Sequence, residues 1–201
     1  MLASIDLVMS LQPHWFTTMF PVYCFANGWF GAIASIIIIL VTIQKNGGLK
    51  DVNEEHLHDL GKLIFAFTCF WAYITFFQYF LIWYANIPEE TEWFGHRWRG
   101  SWVVVSVLLA TLHFAVPFFS LLSRNAKRSL TVLPIVATLM LVMHYVDMHW
   151  LVMPKLHPEG ASPHWLDVTS VLGMVGVFLA VLMRRMAAAP LIPVKDPFLQ
   201  A

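Results

Sequence analysis

Two ionisable side chains three residues apart, His144 and Asp147, fall inside a long apolar run and share one face of any helix formed there. A charged residue at the centre of a spanning helix costs about 2.5–3.5 kcal/mol on insertion scales, so its presence needs a reason. Proton uptake and release by a carboxyl and an imidazole is the chemistry such a pair could do. The alternative is a buried hydrogen-bonded pair that only locks helix packing. Tyr145 and His149, four apart, lie on an adjoining face. Taking the run as 130–153, Asp147 falls about six residues, roughly 9 Å of helix rise, from its far end.

Other apolar runs carry sparser polar groups. Ser106, His113, Pro117 and Ser120 form one stripe, and Pro117 cannot donate to the His113 carbonyl, which frees that oxygen for another group. This stripe reads as a kinked proton wire or ligand pocket, or as a tolerated kink beside a satisfied core histidine. Thr68, Thr75, Gln78 and Asn86 line a second stripe, opposite a Phe-rich surface. Gln78 and Asn86 could hydrogen-bond quinone oxygens or water, or the stripe could glue helices at about 0.6 kcal/mol per contact. Beyond it, Glu89 and Glu90 stand in a loop near Arg97 and Arg99, which reads as a docking surface or proton exit, or as solvated ion pairs worth under about 1 kcal/mol. His56 and His58, among Glu54, Glu55 and Asp59, could collect protons or bind metal, and otherwise read as a solvated, acidic helix start. Small residues mark packing seams at Gly28, Gly31 and Ser35 and again at Thr169, Gly173, Gly176 and Ala180. Cys24 and Cys69 stand without a CxxC or CxxCH context, so no metal or c-haem site is expected. On the spans below, Cys24 lies toward the outer face and Cys69 toward the inner one, too far apart in depth for a disulfide.

The elements that position these groups follow from composition. Of 201 residues, 59% are hydrophobic and 12% charged, with a net charge of zero and a mean hydropathy of +0.68. Soluble domains carry about a quarter charged residues. The composition therefore excludes a disordered segment, a nucleic-acid binder and a disulfide-rich secreted domain. Five stretches meet the length of a spanning helix, 15–43, 63–87, 102–122, 130–153 and 165–183, joined by short polar loops such as 44–61 and 154–163. The expected fold is all-α, a polytopic transmembrane bundle of about five helices forming one membrane domain over 1–201. Residues 1–12 hold no basic residue and no small-x-small step of the kind that marks a signal peptide.

Alternate loops divide the cations unevenly. Lys45, Lys50, Lys62, Arg124, Lys127, Arg128, Arg184, Arg185 and Lys195 fall on one side, and Arg97, Arg99 and Lys155 on the other. The positive-inside tendency then places the N-terminus outside and the C-terminus in the cytoplasm. Trp93, Trp98, Trp102, Trp150 and Trp165 gather at the outer interface, where an indole buries its ring and keeps its N–H wet.

Four strings carry a family resemblance: Asp6-Leu7-Val8-Met9-Ser10-Leu11-Gln12-Pro13-His14-Trp15, Gln78-Tyr79-Phe80-Leu81-Ile82-Trp83-Tyr84-Ala85-Asn86-Ile87-Pro88-Glu89-Glu90-Thr91, His113-Phe114-Ala115-Val116-Pro117-Phe118 and His144-Tyr145-Val146-Asp147-Met148-His149-Trp150. Over almost the whole chain the sequence resembles the F subunit of bacterial alternative complex III, a quinol:cytochrome c or high-potential iron-sulfur protein oxidoreductase. The resemblance implies an NrfD-like (polysulfide-reductase-type) subunit of the bacterial inner membrane, beside a related subunit and lipid. Quinol would be the substrate of the complex, and c-type haems and iron-sulfur clusters would sit on partner subunits, with none bound here. Family members are longer, so the chain is expected to cover about the C-terminal half, Met1 standing as an uncertain start. A pocket formed between halves would then be incomplete, and the quinol site could belong to the partner. Two other functions stay open: a purely structural subunit of that complex, and a b-haem protein using His113 and His144 as axial ligands or an independent transporter using the polar stripes as a substrate path. Facing imidazoles at matching depth would be needed for haem, and His113 falls nearer mid-membrane than His144.

Overall fold

The computed structural model describes residues 2–49, 52–162, 164–189 and 191. Helices are the regular elements among them: α1 (Leu2–Leu7), α2 (Phe20–Lys45), α3 (Glu54–Ala85), α4 (Pro88–Arg97), α5 (Trp102–Ser120), α6 (Arg124–Arg128), α7 (Val132–Leu156) and α8 (Trp165–Ala188). Five of them, α2, α3, α5, α7 and α8, are long and apolar enough to cross a membrane. The chain is a multi-pass membrane protein. Of the loci used above, Met1, Lys50, Pro163 and Lys195 lie outside the described residues.

Local chemistry sets the helix ends. Asn53 caps α3, its Oδ1 accepting from the Glu55 and His56 amides at 3.0 and 3.2 Å, and Glu54 and Glu55 face the positive end of the helix dipole. That places the acidic cluster in the first turn of α3, as the helix-start reading expects, and begins the helix nine residues before the apolar run. Asn86 ends α3 with φ at +50°, a left-handed cap that asparagine tolerates. Pro88 then opens α4 at its first turn, with Glu89 and Glu90 beside it. The segment expected as a solvated loop is thus a helix of 10 residues. It is too short and too polar to register as a span, but it buries Trp93, Phe94 and Arg97.

In α5 the backbone is wound as a π-helix over Leu109–Ala115, the segment that carries His113 and runs up to Pro117. A proline that cannot close an i→i−4 bond is accommodated here by widening a turn rather than by breaking the helix. In α7, Pro154 leaves the Trp150 carbonyl without its helical donor while the helix runs on to Leu156.

The bundle is built around α2, which packs against α3 on one side and α7 on the other, with the π segment of α5 closing onto α7. Its interior has two apolar zones. One, toward α4, is aromatic and includes Trp15, Tyr23, Trp71, Trp93, Trp102 and Trp150; the other, toward α6, is aliphatic and includes Ile37, Ile64, Leu133 and Met140. On α2 the two zones meet at Asn27, and on α3 at Thr68. At the α6 end Glu55 pairs with Arg128 and stands 3.9 Å from Arg124, pinning α3 to α6. None of the residues of α8 is buried. Its small-residue stripe meets nothing: a Cβ at Gly173 or Gly176 would find open space.

Three of the five tryptophans expected at the outer interface are enclosed by protein. Trp93, Trp102 and Trp150 are buried, while Trp98 and Trp165 are exposed. The Trp102 indole donates to the His157 carbonyl at 2.8 Å and that of Trp150 to Ser106 Oγ at 2.9 Å. Their N–H groups are satisfied by protein and need no water. Both cysteines are free.

Candidate functional site

Asp147 is completely buried on α7, nine residues or ~13 Å of helix rise before the helix ends, because α7 continues to Leu156. Three donors from two other helices converge on its carboxylate. The Tyr23 hydroxyl donates to Oδ1 at 2.5 Å, and Asn27 Nδ2 and Trp71 Nε1 donate to Oδ2 at 2.6 and 3.0 Å. Tyr23 and Asn27 are four apart on α2, so one face of that helix supplies both. Ionisable groups in apolar surroundings are held by such saturation or not at all.

His144 does not touch Asp147 directly; the two are joined through Asn27. Its Nδ1 stands 2.7 Å from Asn27 Oδ1. Because the Asn27 amide nitrogen is committed to Asp147, its oxygen faces the imidazole, and Nδ1 must carry the proton. Nε2 is then the ring nitrogen with a free lone pair. The ring is seated over Gly31, where a Cβ would lie 3.0–3.3 Å from three of its atoms. Of the glycines on α2 expected to form a seam, Gly31 makes the close approach to α7, and Gly28 faces open space.

His113 sits beside this network. It is fully buried against the backbone of Met143, with its ring 4.2 Å from Trp71 and 4.7 Å from Phe30, centroid to centroid. Gln78 is also buried, with its amide nitrogen unpartnered, whereas Asn86 is exposed and terminates α3 away from the others. Of the second stripe, Thr68 returns its hydroxyl to the Ile64 carbonyl at 2.8 Å, and Thr75 Oγ1 has no partner. The structure thus brings together Asp147, His144 and His113, places Gln78 on the α4 side of them, and leaves Asn86 outside.

A second buried ion lies one turn further along α7. Arg97 is completely buried, correcting its reading as an exposed loop cation. Its Nε donates to the Trp150 carbonyl at 3.2 Å, Nη1 to Trp93 at 2.7 Å and Nη2 to Leu151 at 2.7 Å. The Trp150 carbonyl is the one that Pro154 orphans, so the guanidinium stands in for the missing backbone donor. The cation also lies 3.3 Å above the Trp93 ring. Burial pulls its pKa down to about 9, and nearby Tyr23 and Asp147 act in the opposite direction. A carboxyl and a guanidinium are therefore both buried within the aromatic half of the bundle without touching each other.

Tyr23, Asn27, Trp71 and Arg97 were not legible as site residues. Tyr23 and Asn27 are spaced i,i+4 on one apolar helix, a signal that could have marked a polar face. Trp71 carries no such signal, and Arg97 looked like any interfacial cation. No family model matches the chain, and no curated protein matches it.

Proposed function

We propose that the chain is a membrane subunit of a quinol-oxidising respiratory complex of the alternative complex III type, in which Asp147 and His144 relay protons. The observation that carries this reading is the fully buried carboxylate of Asp147, joined through Asn27 to an imidazole whose Nε2 is free to take a proton. The resemblance of the strings around Gln78 and His144 supplies the type of complex. In this reading the α4 end faces the periplasm and the α6 end the cytoplasm, as the cation distribution favours. Quinol oxidation releases two protons with its electrons; this subunit accepts protons, while haems and iron-sulfur clusters on other subunits take the electrons. Lipid and a related NrfD-like subunit would cover the exposed helices, α8 among them.

A second reading has its own support. Three donors from α2 and α3 on one carboxylate of α7 cross-link the core, which is what a purely structural subunit would need. Asp147→Asn separates the two. The protein is purified from native membranes in mild detergent and its co-purifying subunits are identified by mass spectrometry. The relay reading expects an assembled complex containing multihaem and iron-sulfur subunits, with quinol oxidation or coupled proton movement reduced at least tenfold in the variant. Unchanged turnover in an assembled complex would sink the relay, and reduced assembly with normal turnover per complex would favour the structural role.

A further inference from the structure

The short helix α6 connects two spans, α5 and α7, at one end of the bundle, so its side chains stand where membrane meets water. Packing against α3 fixes where they stand. The Lys127 stem crosses Gly61, where a Cβ would fall 2.7 Å from Lys127 Cβ, and its Nζ ends 4.8 Å from the centre of the Phe65 ring. Phe65 in turn stacks on Phe118 of α5, centroids 5.3 Å apart, which closes the seam between α3 and α5 under the ammonium. Arg128 is committed to Glu55, and Arg124 reaches the same carboxylate only at 3.9 Å. Asp59 is taken by Lys62 at 2.7 Å. Among the described residues, then, one carboxylate is in contact with the three cations of α6, and Lys127 touches none.

Apolar side chains stand exposed just before this cationic cluster, Phe119 and Leu122 at the end of α5 among them. A soluble anion would answer the cations and leave those side chains as they are. A molecule with a negative head and apolar tails answers both. We propose that Arg124 and Lys127 bind the headgroup phosphate of an anionic phospholipid whose acyl chains lie along the exposed end of α5. The Arg124 guanidinium offers a planar pair of donors to the phosphate oxygens, and the Lys127 ammonium a point charge beside it. The site rests on the spans alone, and the aliphatic zone of the core separates it from Asp147.

Native mass spectrometry of the full chain in mild detergent, titrated with dioleoylphosphatidylglycerol or with dioleoylphosphatidylcholine, tests it. The first molecule of the anionic lipid should bind more tightly than the first of the zwitterionic one. In the double variant Arg124→Gln, Lys127→Gln that preference should fall about fivefold or more. Glutamine keeps the stems and removes the charges, so Gly61 stays covered. Lys155→Gln, at the far end of α7, should keep the preference. Equal binding of the two lipids by the unaltered protein overturns the proposal, as does a preference that survives the double variant or falls equally in Lys155→Gln. Displacement of the lipid by inorganic phosphate would mean an ion site only and would also overturn it. The outcomes are separable from the relay reading: loss of lipid preference leaves Asp147 untouched, and full turnover in Asp147→Asn says nothing about the lipid.

Discussion

Two buried ionisable side chains of this bundle are held by unequal means. Asp147 receives three side-chain donors and needs no cation in contact. Arg97 receives three carbonyls and a tryptophan face and needs no carboxylate in contact. Each carbonyl it uses belongs to helix backbone, so a rigid fork of donors is required, with the plane that stacks on Trp93. Lysine keeps the charge but presents a single compact ammonium that cannot reach Trp93 and Leu151 at once. Arg97→Lys is therefore expected to destabilise the protein by about 2 kcal/mol or more, counting the loss of charge-assisted hydrogen bonds. Reversible unfolding in mixed detergent micelles checks this, and a loss below about 0.5 kcal/mol would show that the fork is dispensable.

Between elements, the approach of α2 to α7 decides whether His144 can reach Asn27. Gly31 permits it, since a methyl there would press on the imidazole at 3.0–3.3 Å, whereas Gly28 has nothing within 4 Å. The two positions lie one turn apart on the same helix and make an internal control. Gly31→Ala should displace the His144 ring and cost about 1–2 kcal/mol through overpacking. Gly28→Ala should be neutral, or stabilise by up to about 1 kcal/mol through helix propensity. The imidazole reports the difference: its nitrogen-15 shifts in solid-state NMR should move in the Gly31 variant and stay unchanged in the Gly28 variant. Equal responses would mean that Gly31 does not set the register of α2 on α7.

At the scale of the molecule, the five spans and the acidic start of α3 were legible because apolar length and N-terminal acids are read along a single stretch of chain. The partners of Asp147 were not, because Tyr23, Asn27 and Trp71 come from helices more than seventy residues away and meet only when α2 settles between α3 and α7. The burial of two tryptophans was hidden for a related reason: the acceptors of Trp102 and Trp150, at His157 and Ser106, lie more than forty residues away in the chain. The proposed orientation rests on a property of the whole chain, the crowding of Arg124, Lys127 and Arg128 at the α6 end against few cations at the α4 end. Single cysteines at Glu92 and Ser123, in a background with Cys24 and Cys69 replaced by alanine, should therefore differ in access. A membrane-impermeant maleimide applied to cells with a permeable outer membrane should label the Glu92→Cys variant at once. The Ser123→Cys variant should react only after the inner membrane is opened. The reverse pattern would invert the topology and put Asp147 nearer the cytoplasmic face, with the direction of any proton movement reversed.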